Sequence, residues 1–399
     1  MNILILANKP PYPAKDGSSL ATLNMAIGLA QSGHSVKIIS ISTQKHPCKI
    51  EEIPIELRFL IEFYIVPINT RINPFSAFFN LLFSSTPYNI ERFINKRVNF
   101  ILTELIRKEK FDIIQIEGLY LFPYIKTIEK LTKTPIVYRS HNVEHEIWDR
   151  IVVYEKNWIK ATYIKHLSKR IRRMEIEVIK KVPALVSISK RDETWFKNQG
   201  FNKSSITIPM GYQMPNLDAT NRSNKDICYL GSLDWIPNQK GLTWFLNSVW
   251  PIVTENDPTS QLHIAGRNAP NSLIHFIRNK KGVNYHGEVE DSRAFLNQYR
   301  IMVVPLHSGS GMRVKIVEGM FLKMAIITTT IGCEGIEVND MEHILIADTP
   351  KEFALAIEKL KNRPELIDII SDKAFTFANE NFNTNHLAEK LTSFYKELI

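Results

Sequence analysis

The sequence predicts an α/β protein made of two doubly wound, Rossmann-like domains in tandem. Three observations carry that expectation. Short apolar runs alternate with stretches of helical periodicity along most of the chain, the pattern of repeated βαβ units. The alternation breaks once, at the polar, turn-rich run PMGYQMPNLDATNRSNK over 209–225, and then resumes. A length of 399 residues also exceeds the size at which one core keeps growing, so two domains are the default. The expected division is 1–208, a linker 209–225, a second domain 226–380, and a last segment 381–399 that packs back on the first domain.

The elements follow in order. Residues 2–7 read as a buried strand, and the proline-rich loop ending in Asp16-Gly17 cannot be helical. A helix over 18–32, stopped by Gly33, and a strand over 36–41 complete the first βαβ unit. Its turn lacks Gly-x-Gly-x-x-Gly, so no dinucleotide fingerprint is present. Further strands are expected at 113–116, 136–138 and 184–188, and, after the break, at 227–230, 261–265, 283–286, 301–304 and 325–329. Residues 386–398 read as an amphipathic helix.

Between the last two strands lies PLHSGSGMRVKIVEGMFLKMAIITTT, a strand, Gly-rich turn, helix and strand. Glycines let backbone N–H groups approach an anion, and a helix start adds unpaired donors and partial positive charge. Arg313 and Lys315 in the first turn oppose the helix dipole, a conflict that a bound phosphate would reverse. Glu318, one turn deeper, can accept hydrogen bonds from sugar hydroxyls. Diphosphate plus ribose makes a nucleotide site; the plain alternative is a Gly-rich loop before a surface helix.

Charge is unevenly spread. Residues 1–215 carry 31 Lys and Arg against 19 Asp and Glu, and the remainder 19 against 22, so nets of +12 and −3 give the +9 of the chain. One domain is therefore expected to meet an anionic surface or substrate. A helix over 164–181 places Ile164, Leu167, Ile171, Met174 and Val178 on one stripe. Lys165, Lys169, Arg170, Arg172, Arg173, Lys180 and Lys181 fall on the other side. Upstream, Phe75, Phe78, Phe79, Leu82 and Phe83 form an aromatic cluster in the same basic half. No window reaches the ~18 apolar residues of a membrane span, and no basic leader precedes the first strand, so a cytoplasmic chain with peripheral contact on an anionic membrane is expected. Three scattered cysteines, Cys48, Cys228 and Cys333, fit a reducing compartment. There is no Asp-x-Asp, no metal-ligand spacing and no Gly-x-Ser-x-Gly elbow, so neither a metal cofactor nor a hydrolase of that kind is expected.

With these elements in place, the chain resembles the family 4, "group 1" glycosyltransferases of the GT-B fold over essentially its whole length. In the first half the resemblance rests on Asp16-Gly17, Gly33-His34-Ser35-Val36, Ser140-His141-Asn142-Val143-Glu144 and Ile188-Ser189-Lys190-Arg191-Asp192. In the second it rests on the run 229–238, Ala265-Gly266-Arg267, Gly287-Glu288-Val289, the run 309–315, Glu318-Gly319-Met320 and the run 332–336. The resemblance implies two Rossmann-like domains with a cleft between them. It also implies a nucleotide-diphosphate sugar as donor, a glycan or lipid-linked acceptor, and retention of configuration without metal. His141, Arg313 and Lys315 are then the expected catalytic residues. Gly17, Ser232, Arg267, Val289, Gly309, Ser310, Gly311, Met312 and Glu318 are the expected donor contacts, and Arg139 and Glu144 flank His141. Two departures stand out. The family's Glu-x7-Glu pair has Ser310 in place of its first glutamate, and the cations usual after the first strand of the second domain reduce to Lys240. The rivals are an epimerase or hydrolase of nucleotide sugars on the same fold, and a non-catalytic binder of anionic surfaces. A nucleic-acid partner is not expected, because no aromatic-basic stacking motif is present.

Overall fold

The computed structural model describes residues 1–14, 16–155, 157–213, 222–309 and 312–399. The chain forms two compact units, one of Met1–Gly211 with Thr384–Ile399, the other of Tyr212–Asn383. Each unit is built on one parallel sheet. The first holds β1 (Asn2–Ala7), β2 (Ser35–Ser42), β3 (Glu62–Pro67), β4 (Ile113–Glu117), β5 (Ile136–Ser140), β6 (Ala184–Ser187) and β7 (Ser204–Thr207). Their spatial order is β3-β2-β1-β4-β5-β6-β7. The second holds β8 (Ser223–Leu230), β9 (Leu262–Ala265), β10 (Val283–Gly287), β11 (Tyr299–Val304), β12 (Ala325–Thr328) and β13 (Leu345–Ile346), ordered β10-β9-β8-β11-β12-β13.

Strands buried on both faces are near-continuous apolar runs, and β1 is the example. Leu4 and Leu6 enter the core on one face of the first sheet, while Ile3 and Ile5 enter the core on the other. In the second sheet Ile301 and Val303 point one way and Met302 and Val304 the other. The strands that the sequence pattern does not resolve, β3, β7 and β13, all lie at sheet edges, where one row of backbone groups is unpaired; β7 is polar and β13 only two residues long. β8 begins at Ser223, inside the segment read as linker; its polar start pairs with Tyr299 at the open end of β11. Of that segment, 214–221 lies outside the described residues.

The first unit is closed by the end of the chain. Helix Thr384–Lys396 packs on helix Gly17–Gln31, and a Cβ at Gly28 would stand 2.8 Å from Thr384 and 2.9 Å from Ala388. The absence of a side chain at Gly28 is what lets the two backbones approach.

The long helix is Trp158–Lys181, and it starts well before residue 164 because the Asn157 side chain accepts from the N–H groups of Ile159 and Lys160. Leu167, Ile171, Met174 and Val178 are buried on the first core as the stripe requires. Arg170 is a correction to that reading. Instead of facing solvent it is buried, and its guanidinium donates to Asn80 Oδ1 at 3.0 Å, to the Thr86 carbonyl at 2.9 Å and to the Ser84 carbonyl. Among the described residues no helix is long and apolar enough to cross a membrane.

Candidate active site

Each sheet is parallel, so within each one the carboxyl ends of its strands lie along one edge. In each the strand order reverses between two neighbours, β1 and β4 in the first unit and β8 and β11 in the second. Ligands of open α/β sheets bind at such reversals.

In the second unit the loops after β8 and β11 meet around Lys315. Helix Val314–Phe321 begins immediately after Arg313, which is its N-cap residue. The Lys315 ammonium donates to the Leu230 carbonyl at 2.8 Å and to Asn238 Oδ1 at 3.2 Å, and it lies 4.9 Å from the centre of the Tyr229 ring. Burial, and then the neighbouring Arg313 guanidinium, push its pKa down to about 7. Gly231 makes the room, since a Cβ there would sit 2.9 Å from that ammonium. The buried Arg313 guanidinium lies over Trp235, 5.4 Å from the ring centre. Gly309 passes the same ring at φ +112°, where a Cβ would stand 2.7 Å from it. Two basic side chains are therefore crowded at a strand reversal beside Gly309.

The expected donor residues divide between places. Ser232 and Arg267 are joined by a bond from Arg267 Nε to Ser232 Oγ at 2.9 Å. They reach Lys315 through Asn238, whose amide donates to the Ser232 carbonyl at 2.8 Å. Met312 backs onto Gly335 and onto the core beneath. Val289 follows β10 and packs on the same core, two strands from β8. Ser310 and Gly311 lie outside the described residues. Glu318 sits deeper on the helix, where Tyr212 donates to it at 2.9 Å and Ser292 at 3.5 Å, with Arg293 at 3.9 Å. Burial pushes its carboxyl up while the Tyr212 hydroxyl opposes the shift. Its partner Tyr212 carries no signal in the sequence because it falls in the segment read as linker.

In the first unit, Asp16 caps helix Gly17–Gln31 by accepting from the Ser19 N–H at 2.9 Å, which puts Gly17 at the helix start. Lys9 pairs with Asp16 at 2.6 Å. The centre of this edge is Glu117, the last residue of β4. Its Oε2 lies 2.5 Å from His141 Nε2, and Thr22 donates to it at 3.3 Å. Its Oε1 accepts from Gln115 at 2.5 Å and from Arg139 at 3.4 Å. Burial alone would raise this carboxyl; Arg139 and the bond with His141 outweigh it and hold the pKa down to about 2. Tyr395, from the C-terminal helix, donates to Gln115 and so closes the network. Sequence reading overlooks Glu117; the available signal was a carboxylate one residue past a buried strand. Glu144 starts the next helix, and burial, then Glu175, push its pKa up to about 7.

Two units, each on one parallel sheet, define a protein of the GT-B fold class. The family model for group 1 glycosyl transferases matches residues 224–363 and that for glycosyltransferase family 4 matches residues 15–212. The chain belongs to the group 1, family 4 glycosyltransferases. A relative described as an uncharacterized 44.6 kDa protein in the cps region of Klebsiella pneumoniae is 25% identical over 99% of both chains. Among solved structures, a variant of S. aureus TarM with fondaparinux, alpha-GlcNAc-glycerol and UDP matches at TM-score 0.69 and 12% identity, covering 99% of each chain. Sucrose-phosphate synthase from Thermosynechococcus elongatus matches at 0.69 and 14%, covering 100% of this chain and 99% of that one. Anabaena HepE with UDP and glucose matches at 0.64 and 11%, covering 98% and 99%.

Proposed function

We propose that the chain transfers a sugar from a nucleotide-diphosphate donor to a hydroxyl of a glycan or lipid-linked acceptor in surface polysaccharide biosynthesis, with retention and without metal. The observation that carries this reading is the Lys315 ammonium, drawn into a neutral carbonyl and amide pocket beside a second cation. A diphosphate at that place meets two positive groups, which also stabilise it as it departs. Among the described residues no group of three or more His, Cys, Asp or Glu could hold a metal ion, so the cations are assigned the work of neutralisation. His141 serves the sugar end. With Nε2 engaged by Glu117, its Nδ1 is the nitrogen left for substrate, and Glu117 fixes the ring.

The cps-region relative supports the polysaccharide setting, and the UDP held by TarM and HepE makes uridine donors the first to try. The exposed Lys165, Lys169, Arg172 and Arg173 of the long helix support peripheral docking on anionic lipid. Each such cation contributes about 1 kcal/mol near that surface. The test is product analysis with a panel of nucleotide sugars, with and without acceptor, in excess EDTA. Glycoside with the donor's anomeric configuration is expected. Inversion, loss of activity in EDTA restored by Mg²⁺, or release of free sugar alone would each overturn the reading.

A further inference from the structure

The helix Pro74–Phe83 is turned inside out. In a surface helix the apolar stripe faces the core; here the residue buried on the protein is Asn80, while Phe75, Phe78, Phe79, Leu82 and Phe83 are all more than half exposed. At about 100° per residue these five fall on one arc of roughly 140°, opposite the side that carries Ala77, Asn80 and Leu81. Its attachment is polar. Asn80 donates to Glu91 at 2.6 Å and accepts from Arg170, and Arg170 also holds the carbonyls that end the helix. Asn73 caps its start, accepting from Phe75 N–H at 2.9 Å. An apolar helix is thus presented outward, on a fixed mount.

We propose that this helix is a wedge that enters the interfacial layer of an anionic bilayer, phenylalanines first. The proposal rests on the peripheral docking given above and names the element that performs it. The surroundings choose the partner. No carboxylate occurs between Phe63 and Ile90, and Arg71 precedes the helix. On the long helix, Lys169, Arg172 and Arg173 are exposed on either side of the Arg170 mount. Apolar aromatics ringed by cations are the composition of helices that lie in anionic membrane surfaces. A second copy of the chain is disfavoured as the cover, because it would bring two sets of these cations together.

The experiment is vesicle co-sedimentation of the full chain with phosphatidylglycerol/phosphatidylcholine or phosphatidylcholine alone, at low and high salt. A Phe75→Ser, Phe79→Ser, Phe83→Ser variant removes no core contact, so it retains the fold. It is expected to bind anionic vesicles about tenfold more weakly or worse and to lose the salt-resistant part of binding. The same three positions changed to leucine should restore both. A Lys169→Gln, Arg172→Gln, Arg173→Gln variant should lose the salt-sensitive part instead. Wild-type affinity in the serine variant overturns the wedge while leaving charge docking in place. A wild-type dimer that the serine variant splits, with vesicle binding unchanged, overturns it in favour of a second copy. No wild-type binding to either vesicle overturns both wedge and docking. Transfer to a water-soluble acceptor, unaffected in all variants, keeps these outcomes separate from the catalytic reading.

Discussion

Glu117 Oε2 lies 2.5 Å from His141 Nε2, and both side chains are buried at the strand reversal of the first sheet. A carboxylate in that place sets which ring nitrogen is engaged and which is left. It also compensates Arg139, whose side chain is fully enclosed.

Glu117→Gln is therefore expected to act twice. It leaves Arg139 as a buried cation without its partner, a change that costs about 3–5 kcal/mol, read as a lower unfolding temperature. Turnover should fall while affinity for the donor nucleotide changes little, since the proposed nucleotide site is in the other unit. The stability difference has a pH signature. The folded carboxyl is depressed to about 2 from an ordinary 4.5, so its contribution is complete above 4.5 and is lost as pH falls from there toward 2. A difference between wild type and variant that stays constant through that window would contradict the assignment.

Lys315 predicts a second pH dependence, of the same sign but at higher pH. A lysine depressed to about 7 is largely neutral above that pH in the empty site, while the unfolded chain keeps its lysine charged up to 10.5. The unfolded state binds more protons between 7 and 10.5, so this group makes the empty protein more stable as pH rises through that range. A bound diphosphate favours the ammonium, so binding takes up a proton above pH 7. Affinity should then fall by up to about tenfold per pH unit beyond 7. Calorimetry in buffers of different ionisation enthalpy would read the proton uptake. Lys315→Met should bind weakly and without this slope; a slope equal to that of wild type would remove Lys315 from the anion site.

Much of the fold could be read from the sequence, and the reason is burial. Strands such as β1 and β11, covered on both faces, carry unbroken apolar runs over 3–7 and 301–304. The edge strands β3, β7 and β13 have one open side and resemble loops. The candidate site is legible in the sequence where its residues lie near each other, as Gly309, Arg313 and Lys315 do. It is not legible where the fold joins distant positions. Tyr212 meets Glu318, Asn238 meets Lys315, and Tyr395 meets Gln115, contacts that have no local spacing. Arg170 shows the limit of periodicity: its helical position is that of a solvated cation, but acceptors on Asn80, Ser84 and Thr86 enclose it.

Arg170→Leu tests that last point. It leaves Asn80 Oδ1 and the Ser84 carbonyl without their donor, while the Thr86 carbonyl keeps the Asn80 amide at 2.9 Å; unmet buried acceptors cost about 1–3 kcal/mol each. Limited proteolysis should show new cleavage between Arg71 and Thr86 while the unfolding temperature drops modestly. A protease pattern like that of wild type would mean that helix Pro74–Phe83 is held by something other than this mount.

The central claim is that Arg313 and Lys315 receive the diphosphate of the donor, and calorimetric titration with UDP tests it most directly. A hydrogen bond to a charged group contributes about 1.5–3 kcal/mol. Arg313→Ala is therefore expected to weaken nucleotide binding by about one to two decades, and Lys315→Ala by a similar factor. Wild-type affinity for UDP in both variants would contradict the account.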